Sequence, residues 1–259
     1  MRGIMETEIE FREIEPLDCS RSMVFISFPS VGLVGTLAAS YIVRSQGLSR
    51  VGVFSSNRFV PSAVIYDGIP SPPVRVFGGK RACAPDELCN EILVIMSELP
   101  IPMDMVRPMS EFILNWCEDK STNMIVTLEG ANVPLEPGQE SKIYGVGTTD
   151  KAKELIKKHD IEPLTEGIVG GVSGVLLYEG EEKGKDVLCL LAEANFQIPG
   201  SMGAAKLVEI ISRMLPELKI DPKPLFEEAK QLEEQIKAAL KAAQTMPPEE
   251  REVPPGLYG

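Results

Sequence analysis

Continuous apolar runs recur along the chain, and the segments between them carry apolar residues at helical spacing. Runs of five or six apolar residues predict strands that are buried on both faces. Shorter apolar runs predict further strands near residues 51–54, 63–66, 74–77 and 143–146. The long runs lie at Met23–Phe28, Ile92–Met96, Met124–Leu128 and Val187–Ala192.

Helices are predicted between several of these runs. The first has small residues on one face, among them Gly35 and Ala38, which would let it lie close to a sheet. Asp150 is a candidate N-cap for the third helix, and Pro216 ends the last one. Residues 131–141 read as a loop. The helices are expected at Val31–Ser45, Met105–Glu118, Asp150–Lys158 and Ser201–Leu215.

Strands that alternate with helices predict an α/β fold, here a three-layer αβα sandwich around a largely parallel sheet. We find no internal repeat and no break in composition before residue 220. Residues 1–220 are therefore expected to form one domain.

The character of the chain changes after this domain. Asp221 can cap a helix that extends to Ala243, with apolar residues at steps of four and three. Such a stripe fits a helix that packs on its own domain, and it also fits a helix that packs between subunits. The stripe consists of Leu225, Ala229, Leu232, Ile236, Ala239 and Ala243.

Residues 244–259 are expected to form a flexible tail rich in proline and glutamate. Its first thirteen residues, 244–256, could span roughly 40 Å when fully extended. The chain then ends in Leu257, Tyr258 and Gly259. An aliphatic anchor, an aromatic ring with a polar tip and a carboxylate together form a compact docking peptide. We therefore interpret these three residues as a partner-binding site.

Charge narrows the range of partners. The formal net charge is −12, which disfavours binding to nucleic acid or to anionic membranes. No apolar run has the roughly 18 residues of a membrane span, and the N-terminus lacks the apolar core of a signal peptide. The expected location is therefore the cytoplasm, where cysteines stay reduced. Cys117 and Cys189 are expected to be buried, while the spacing of Cys83 and Cys89 is compatible with a disulfide.

Catalytic chemistry finds little support in this sequence. The one histidine, His159, lies in a charged segment typical of a helix end, so neither a histidine-rich metal site nor a catalytic triad is expected. Glycine-rich segments at residues 32–35 and 167–174 lack the full nucleotide-binding patterns. Close backbone packing explains the second segment better than an anion site. We therefore expect no enzyme activity, no cofactor and no metal.

One alternative stays open at this stage. Glu98, Glu129 and Glu193 each follow a predicted buried strand. Ligands of α/β proteins bind beyond the carboxyl ends of the strands, so the three carboxylates could line a shared crevice. The alternative function is accordingly a nucleoside-like small-molecule binder or an enzyme that uses this crevice near Gly170.

An ordered set of short motifs resembles the proteasome assembly chaperone family. The opening segment, residues 28–35, reads Phe-Pro-Ser-Val-Gly-Leu-Val-Gly. The later motifs follow in the order of the family and extend the resemblance over about residues 20–243. They are Phe59–Ala63, Trp116, Thr127–Gly130, Tyr144–Gly145, Gly167–Gly174 and Leu190–Glu193.

The resemblance implies a fold similar to nucleoside phosphorylases without their catalytic residues. It also implies an ATP-independent homo-oligomer, of the archaeal type, that acts on proteasome α-subunits. By this resemblance, Leu257 would fill an apolar pocket between neighbouring α-subunits and Tyr258 would stack and hydrogen-bond there. The carboxylate of Gly259 would meet a lysine. A third reading is an oligomeric scaffold for a different protein partner.

Overall fold

The computed structural model describes residues 9–16, 19–66, 68–79, 92–133, 141–195, 200–231 and 234. A sheet of nine strands occupies the centre of the molecule, and a separate hairpin, β4–β5, lies beside it. The order across the sheet is β1-β3-β6-β7-β2-β8-β11-β9-β10. The strands are β1 (Glu10–Glu13), β2 (Met23–Ser27), β3 (Ser49–Ser55), β4 (Val64–Tyr66), β5 (Ile69–Ser71), β6 (Val74–Gly79), β7 (Ile92–Met96), β8 (Met124–Asn132), β9 (Ile143–Gly147), β10 (Glu162–Pro163) and β11 (Val187–Ala194).

The sheet is mixed, which corrects the expectation of a largely parallel one. The central strands β7, β2, β8 and β11 run parallel to one another. Antiparallel neighbours β6 and β9 flank them on the two sides. The central strands are covered by helices on both faces, so they are continuous apolar runs, which are typical of parallel strands. The direction in which the outer strands run leaves no pattern in their sequences.

Helices cover both faces of the sheet and complete the α/β sandwich. Face A is the side of the sheet that carries Phe25 and Val126, and face B is the side that carries Val24 and Ile125. Helices α1, α3, α5 and α6 pack on face A, while α2 and α4 pack on face B. The helices are α1 (Val34–Ser45), α2 (Val106–Asp119), α3 (Asp150–Lys158), α4 (Gly171–Glu182), α5 (Ser201–Met214) and α6 (residues 223–231).

The chain leaves β2 through a tight turn before α1 begins. Val31–Leu33 forms a 3₁₀ turn in which Gly32 has φ 61° and Leu33 has φ 54°. The predicted helix therefore starts three residues later, at Val34. The small residues pack as expected, because a Cβ atom at Gly35 would lie only 2.0 Å from the carbonyl oxygen of Leu128 in β8.

The ends of two other helices test the predicted caps. The N-cap of α3 is Thr149 and not Asp150, since the Thr149 hydroxyl accepts a hydrogen bond from the Ala152 amide at 3.3 Å. Asp221 acts as predicted, and its carboxylate accepts a hydrogen bond from the Lys223 amide at 3.0 Å. Threonine and aspartate are both good N-caps, and Thr149 and Asp150 are adjacent, so the sequence alone does not distinguish between them.

The apolar stripe of the C-terminal helix starts on the chain's own domain. Leu225 and Ala229 are both buried, and Leu225 belongs to the apolar core of face A. The Tyr41 hydroxyl of α1 donates a hydrogen bond to the Asp221 carbonyl oxygen at 2.6 Å. The other four residues of the stripe, Leu232, Ile236, Ala239 and Ala243, lie outside the described residues.

Several elements were missed because they are short or polar. Strands β1 and β10 lie at the two edges of the sheet and are rich in exposed charged residues. Helix α4 begins inside the glycine-rich segment, where glycine lowers helix propensity.

Cys117 and Cys189 are buried and reduced, as predicted, while Cys83 and Cys89 lie outside the described residues. In the described part of the chain, no helix is long and apolar enough to cross a membrane.

We predict that Gly35→Ala destabilises the protein by about 2–3 kcal/mol or more, because the new methyl group forces α1 away from β8. Thermal or denaturant unfolding measures this change. Gly170→Ala is the matched control, since its Cβ atom meets nothing within 4 Å and its φ is −101°. Equal stability losses in the two variants would contradict the close contact at Gly35.

Candidate functional site

The carboxyl ends of the parallel strands meet at one edge of the sheet, where the three candidate carboxylates were expected. Glu98 follows β7, and Glu129 and Glu193 lie near the ends of β8 and β11. Because Glu129 is in register with Leu191, Glu193 lies two residues further along the neighbouring strand. Glu129 and Glu193 thus share this edge, and Glu98 is separated from them by β2.

Glu129 lies under the beginning of α4. The Ser173 hydroxyl on α4 donates a hydrogen bond to a carboxylate oxygen of Glu129. Ser30, in the turn after β2, donates a second one to the same carboxylate. Burial raises the pKa of Glu129, and these two hydrogen bonds lower it by a smaller amount, so that the resulting pKa is about 7. This carboxyl group therefore titrates near neutral pH.

Glu193 is buried and satisfied by its own neighbours. Its carboxylate accepts hydrogen bonds from the Tyr144 hydroxyl at 2.9 Å and from the Lys142 amide at 3.1 Å. The pKa of Tyr144 is raised, chiefly by this hydrogen bond and then by burial. These contacts join β9 to β11, which gives Glu193 a structural role.

Glu98 pairs with a buried arginine. Arg75 in β6 has a side chain that is only 1% exposed, and its guanidinium group donates to the Glu98 carboxylate. The guanidinium carbon also lies 5.4 Å from the centre of the Phe77 ring on face A. Glu98 compensates this buried charge, since an unpaired arginine in the core would be costly.

The three carboxylates thus reach the same edge of the sheet but do not act as one group. Each is bound by a different set of partners from its own domain. The partners Arg75, Ser30, Ser173 and Tyr144 were missed by the sequence analysis. The packing of strands, turns and helices in the fold brings them next to the carboxylates, and the sequence carried no signal for these long-range contacts.

The other residues that the sequence singled out, His159 and the glycine-rich segment, have structural roles. His159 is the C-cap of α3, and its amide donates a hydrogen bond to the Leu155 carbonyl oxygen at 3.1 Å. Burial is the largest of the effects that lower its pKa. Close backbone packing holds at Gly174, where a Cβ atom would lie 2.2 Å from the Val169 carbonyl oxygen. The described residues contain no group of three or more histidine, cysteine or acidic residues arranged to hold a metal ion.

The predicted docking residues Leu257, Tyr258 and Gly259 lie outside the described residues, as does the whole segment 235–259. The described part of α6 ends on face A of the domain, where Ala229 is buried. The segment that carries the docking residues is thus attached to the domain at this face.

We predict that Glu129→Gln changes the pH dependence of stability. The unfolded glutamate has a pKa of about 4.3, so the folded protein binds a proton that the unfolded chain has released between about pH 4.5 and 7. The wild-type protein therefore loses stability as the pH rises through this range. At pH 5 the variant should match the wild type, and at pH 8 it should be more stable by about 1–3 kcal/mol.

Denaturant unfolding at pH 5 and pH 8 measures this difference. Glu154→Gln on the exposed surface of α3 is the control and should show no such pH dependence. A stability difference between Glu129→Gln and the wild type that stays constant with pH would contradict the buried, proton-binding state of Glu129.

Comparison with known proteins places this arrangement in a family. The sequence profile of the PAC2 family matches residues 24–240. An uncharacterized protein of Methanocaldococcus jannaschii is 28% identical over 233 residues, which cover 90% of this chain and 91% of that protein. No function is attached to that relative.

Solved structures share the fold. Pyrococcus furiosus PbaA, described as an archaeal homolog of proteasome-assembly chaperone, superposes with a TM-score of 0.78 at 24% identity, covering 90% of this chain and 93% of that one. P. furiosus PbaB, described as an archaeal proteasome activator, gives 0.77 at 21% identity, with 91% and 100% covered. The family resemblance seen in the sequence is thereby confirmed, and the chain belongs to the PAC2 family.

Proposed function

We propose that this protein is a non-enzymatic assembly chaperone or activator-like protein that binds the α-subunits of the proteasome core particle. It does so through Leu257, Tyr258 and Gly259, in the cytoplasm and without ATP. The observation that carries the proposal is the combination of PAC2 family membership over residues 24–240 with a hydrophobic-tyrosine-X ending behind a proline-rich segment.

The carboxyl edge of the sheet supports a non-enzymatic role. Glu129, Glu193 and Glu98 each bind groups of their own domain. General acid–base catalysis requires carboxylates that can reach a substrate, and these groups are held by the protein itself. The structural relatives PbaA and PbaB are described by their proteasome-related roles, which supports the same direction.

The chemistry of the ending fits a pocket between two protein subunits. Leu257 offers an apolar anchor, and Tyr258 offers a ring with a hydroxyl at its tip. The carboxylate of Gly259 can pair with a lysine or with backbone amides. Three residues bind weakly, so several tails on one homo-oligomer would be needed for a stable complex.

We predict that Tyr258→Ala weakens binding to proteasome α-subunits by at least about tenfold, because an aromatic anchor carries much of the energy of a small interface. Deletion of residues 257–259 should abolish binding. Glu252→Ala, within the same segment, is the matched control and should bind like the wild type. Surface-immobilised archaeal α-subunits and biolayer interferometry measure the affinities.

Thermal unfolding of each variant provides the second control, since the tail should not affect the stability of the domain. Retained binding after deletion of residues 257–259 would overturn the docking role of the tail. Absence of binding by the wild-type protein would direct the search to a different partner, as expected for the scaffold alternative.

A further inference from the structure

An open groove lies beside α4 on face B. Its floor is formed by Val146 and Gly147 of β9, and its walls are α4 and the chain segment 164–169. The groove has a volume of about 540 Å³. Leu164, Val169 and Leu177 give it an aliphatic lining. The groove therefore has the size and the polarity to accept several apolar side chains.

The uneven coverage of the sheet leaves this groove open. On face A, α3 packs over β9, where Ile156 lies against Gly145. On face B, Val146 of the same strand is only half-buried, because α4 lies over β8 and β11. At the rim, Ile168 is 98% exposed and Tyr178 is 42% exposed. Large apolar side chains in this position indicate a contact surface.

The charges at the groove define the chemistry of its occupant. Glu166 and Glu181 are exposed carboxylates among its lining residues. Among the described lining residues there is no lysine or arginine. A segment with apolar side chains and neighbouring positive charges would complement both the lining and the rim.

The chain itself contains such a segment. Residues 235–243 read Gln-Ile-Lys-Ala-Ala-Leu-Lys-Ala-Ala and contain two lysines and no acidic residue. Residues 226–234 before them contain four glutamates and one lysine, so the charge changes sign within the predicted helix. Ile236 and Leu240 are four residues apart, as are Lys237 and Lys241. In a helix each pair would form one row of side chains.

The segment follows a helix that lies on the opposite face of the sheet from the groove of its own subunit. Helix α6 contacts α1 and α5 on face A, with Lys206 of α5 over the ring of Phe226 at 5.6 Å. A path from α6 to the groove of the same subunit must lead around the sheet, and only four residues separate Gln231 from Ile236.

We infer that residues 235–243 of one subunit occupy the groove beside α4 of a neighbouring subunit. This inference rests on the homo-oligomer in the proposed function and names the contact that builds it. Ile236 and Leu240 pack against the aliphatic lining and against Ile168 at the rim. Lys237 and Lys241 lie beside Glu166 and Glu181. Each subunit donates one segment and accepts another, so the contact closes a symmetric pair or ring.

A charge exchange within one chain tests this contact. Light scattering after size-exclusion chromatography gives the mass in solution, which for the wild type should be a multiple of 28.3 kDa. Reversal of the groove charges (Glu166→Lys with Glu181→Lys) should lower the mass to that of a monomer. Reversal of the segment charges (Lys237→Glu with Lys241→Glu) should do the same. The chain with all four substitutions should regain the wild-type mass.

The control carries an equal change of charge away from the groove. Glu10→Lys with Glu154→Lys alters exposed residues of β1 and α3 and should keep the wild-type mass. A monomeric wild-type protein would overturn the inference, and so would a wild-type mass for either of the two charge-reversed variants. The inference would also be overturned if the variant with all four substitutions were monomeric while circular dichroism shows that it is folded. None of these measurements involves the proteasome, so a failure here leaves docking by the tail to be judged separately.

A photo-crosslinker identifies the contact directly. Ile168→p-benzoylphenylalanine is introduced into an isotopically heavy chain, which is mixed with a light wild-type chain and allowed to exchange subunits. Mass spectrometry should find the heavy residue 168 joined to a light peptide from residues 235–243. Crosslinks confined to the same chain, or crosslinks to another segment, would overturn the inference.

Discussion

The backbone of the turn and helix that follow strand β2 packs directly against the backbone of strand β8. The rest of the molecule is arranged around this contact. A Cβ atom at Gly35 would lie 2.0 Å from the Leu128 carbonyl oxygen, and one at Gly130 would lie 2.1 Å from the Val31 carbonyl oxygen. The amide of Gly200 donates a hydrogen bond to the Gly32 carbonyl oxygen at 2.8 Å. Glycine is required where backbones approach this closely. Strands β2 and β8 and helices α1 and α5 are thereby joined at the carboxyl edge of the sheet.

This close packing changes the use of the crevice in which α/β proteins commonly bind ligands. Ser30, in the turn between β2 and α1, accepts a hydrogen bond from the Gly130 amide at 3.1 Å and donates one to Glu129. Ser173 brings the start of α4 to the same carboxylate. A turn, a helix and a strand are thus connected through a single carboxyl group. The crevice thereby contributes to the cohesion of the domain.

The sequence predicted the central strands and most helices because burial on both faces, or on one helical face, leaves a periodic pattern. It did not predict the edge strands, since Glu10–Glu13 and Glu162–Pro163 are polar and short. It also placed Glu98, Glu129 and Glu193 at one edge but left their partners unknown. Arg75 and Glu98 are 23 residues apart, and Ser173 and Glu129 are 44 apart. Pairs of this kind are set by strand order and by the packing of helices on the sheet, which local patterns do not encode.

The proposed docking of the tail and the proposed contact between subunits place different requirements on affinity. The proposed tail contact involves three residues and therefore binds weakly on its own, so its strength depends on how many tails one assembly presents. The net charge of −12 opposes association of identical chains, and a subunit contact must offset this repulsion with buried apolar area and opposite local charges. The groove beside α4 has both properties, with aliphatic walls and acidic residues at its rim. A basic, apolar segment immediately before the tail would then set the number of tails, which connects the assembly of the protein to its capacity to bind a partner.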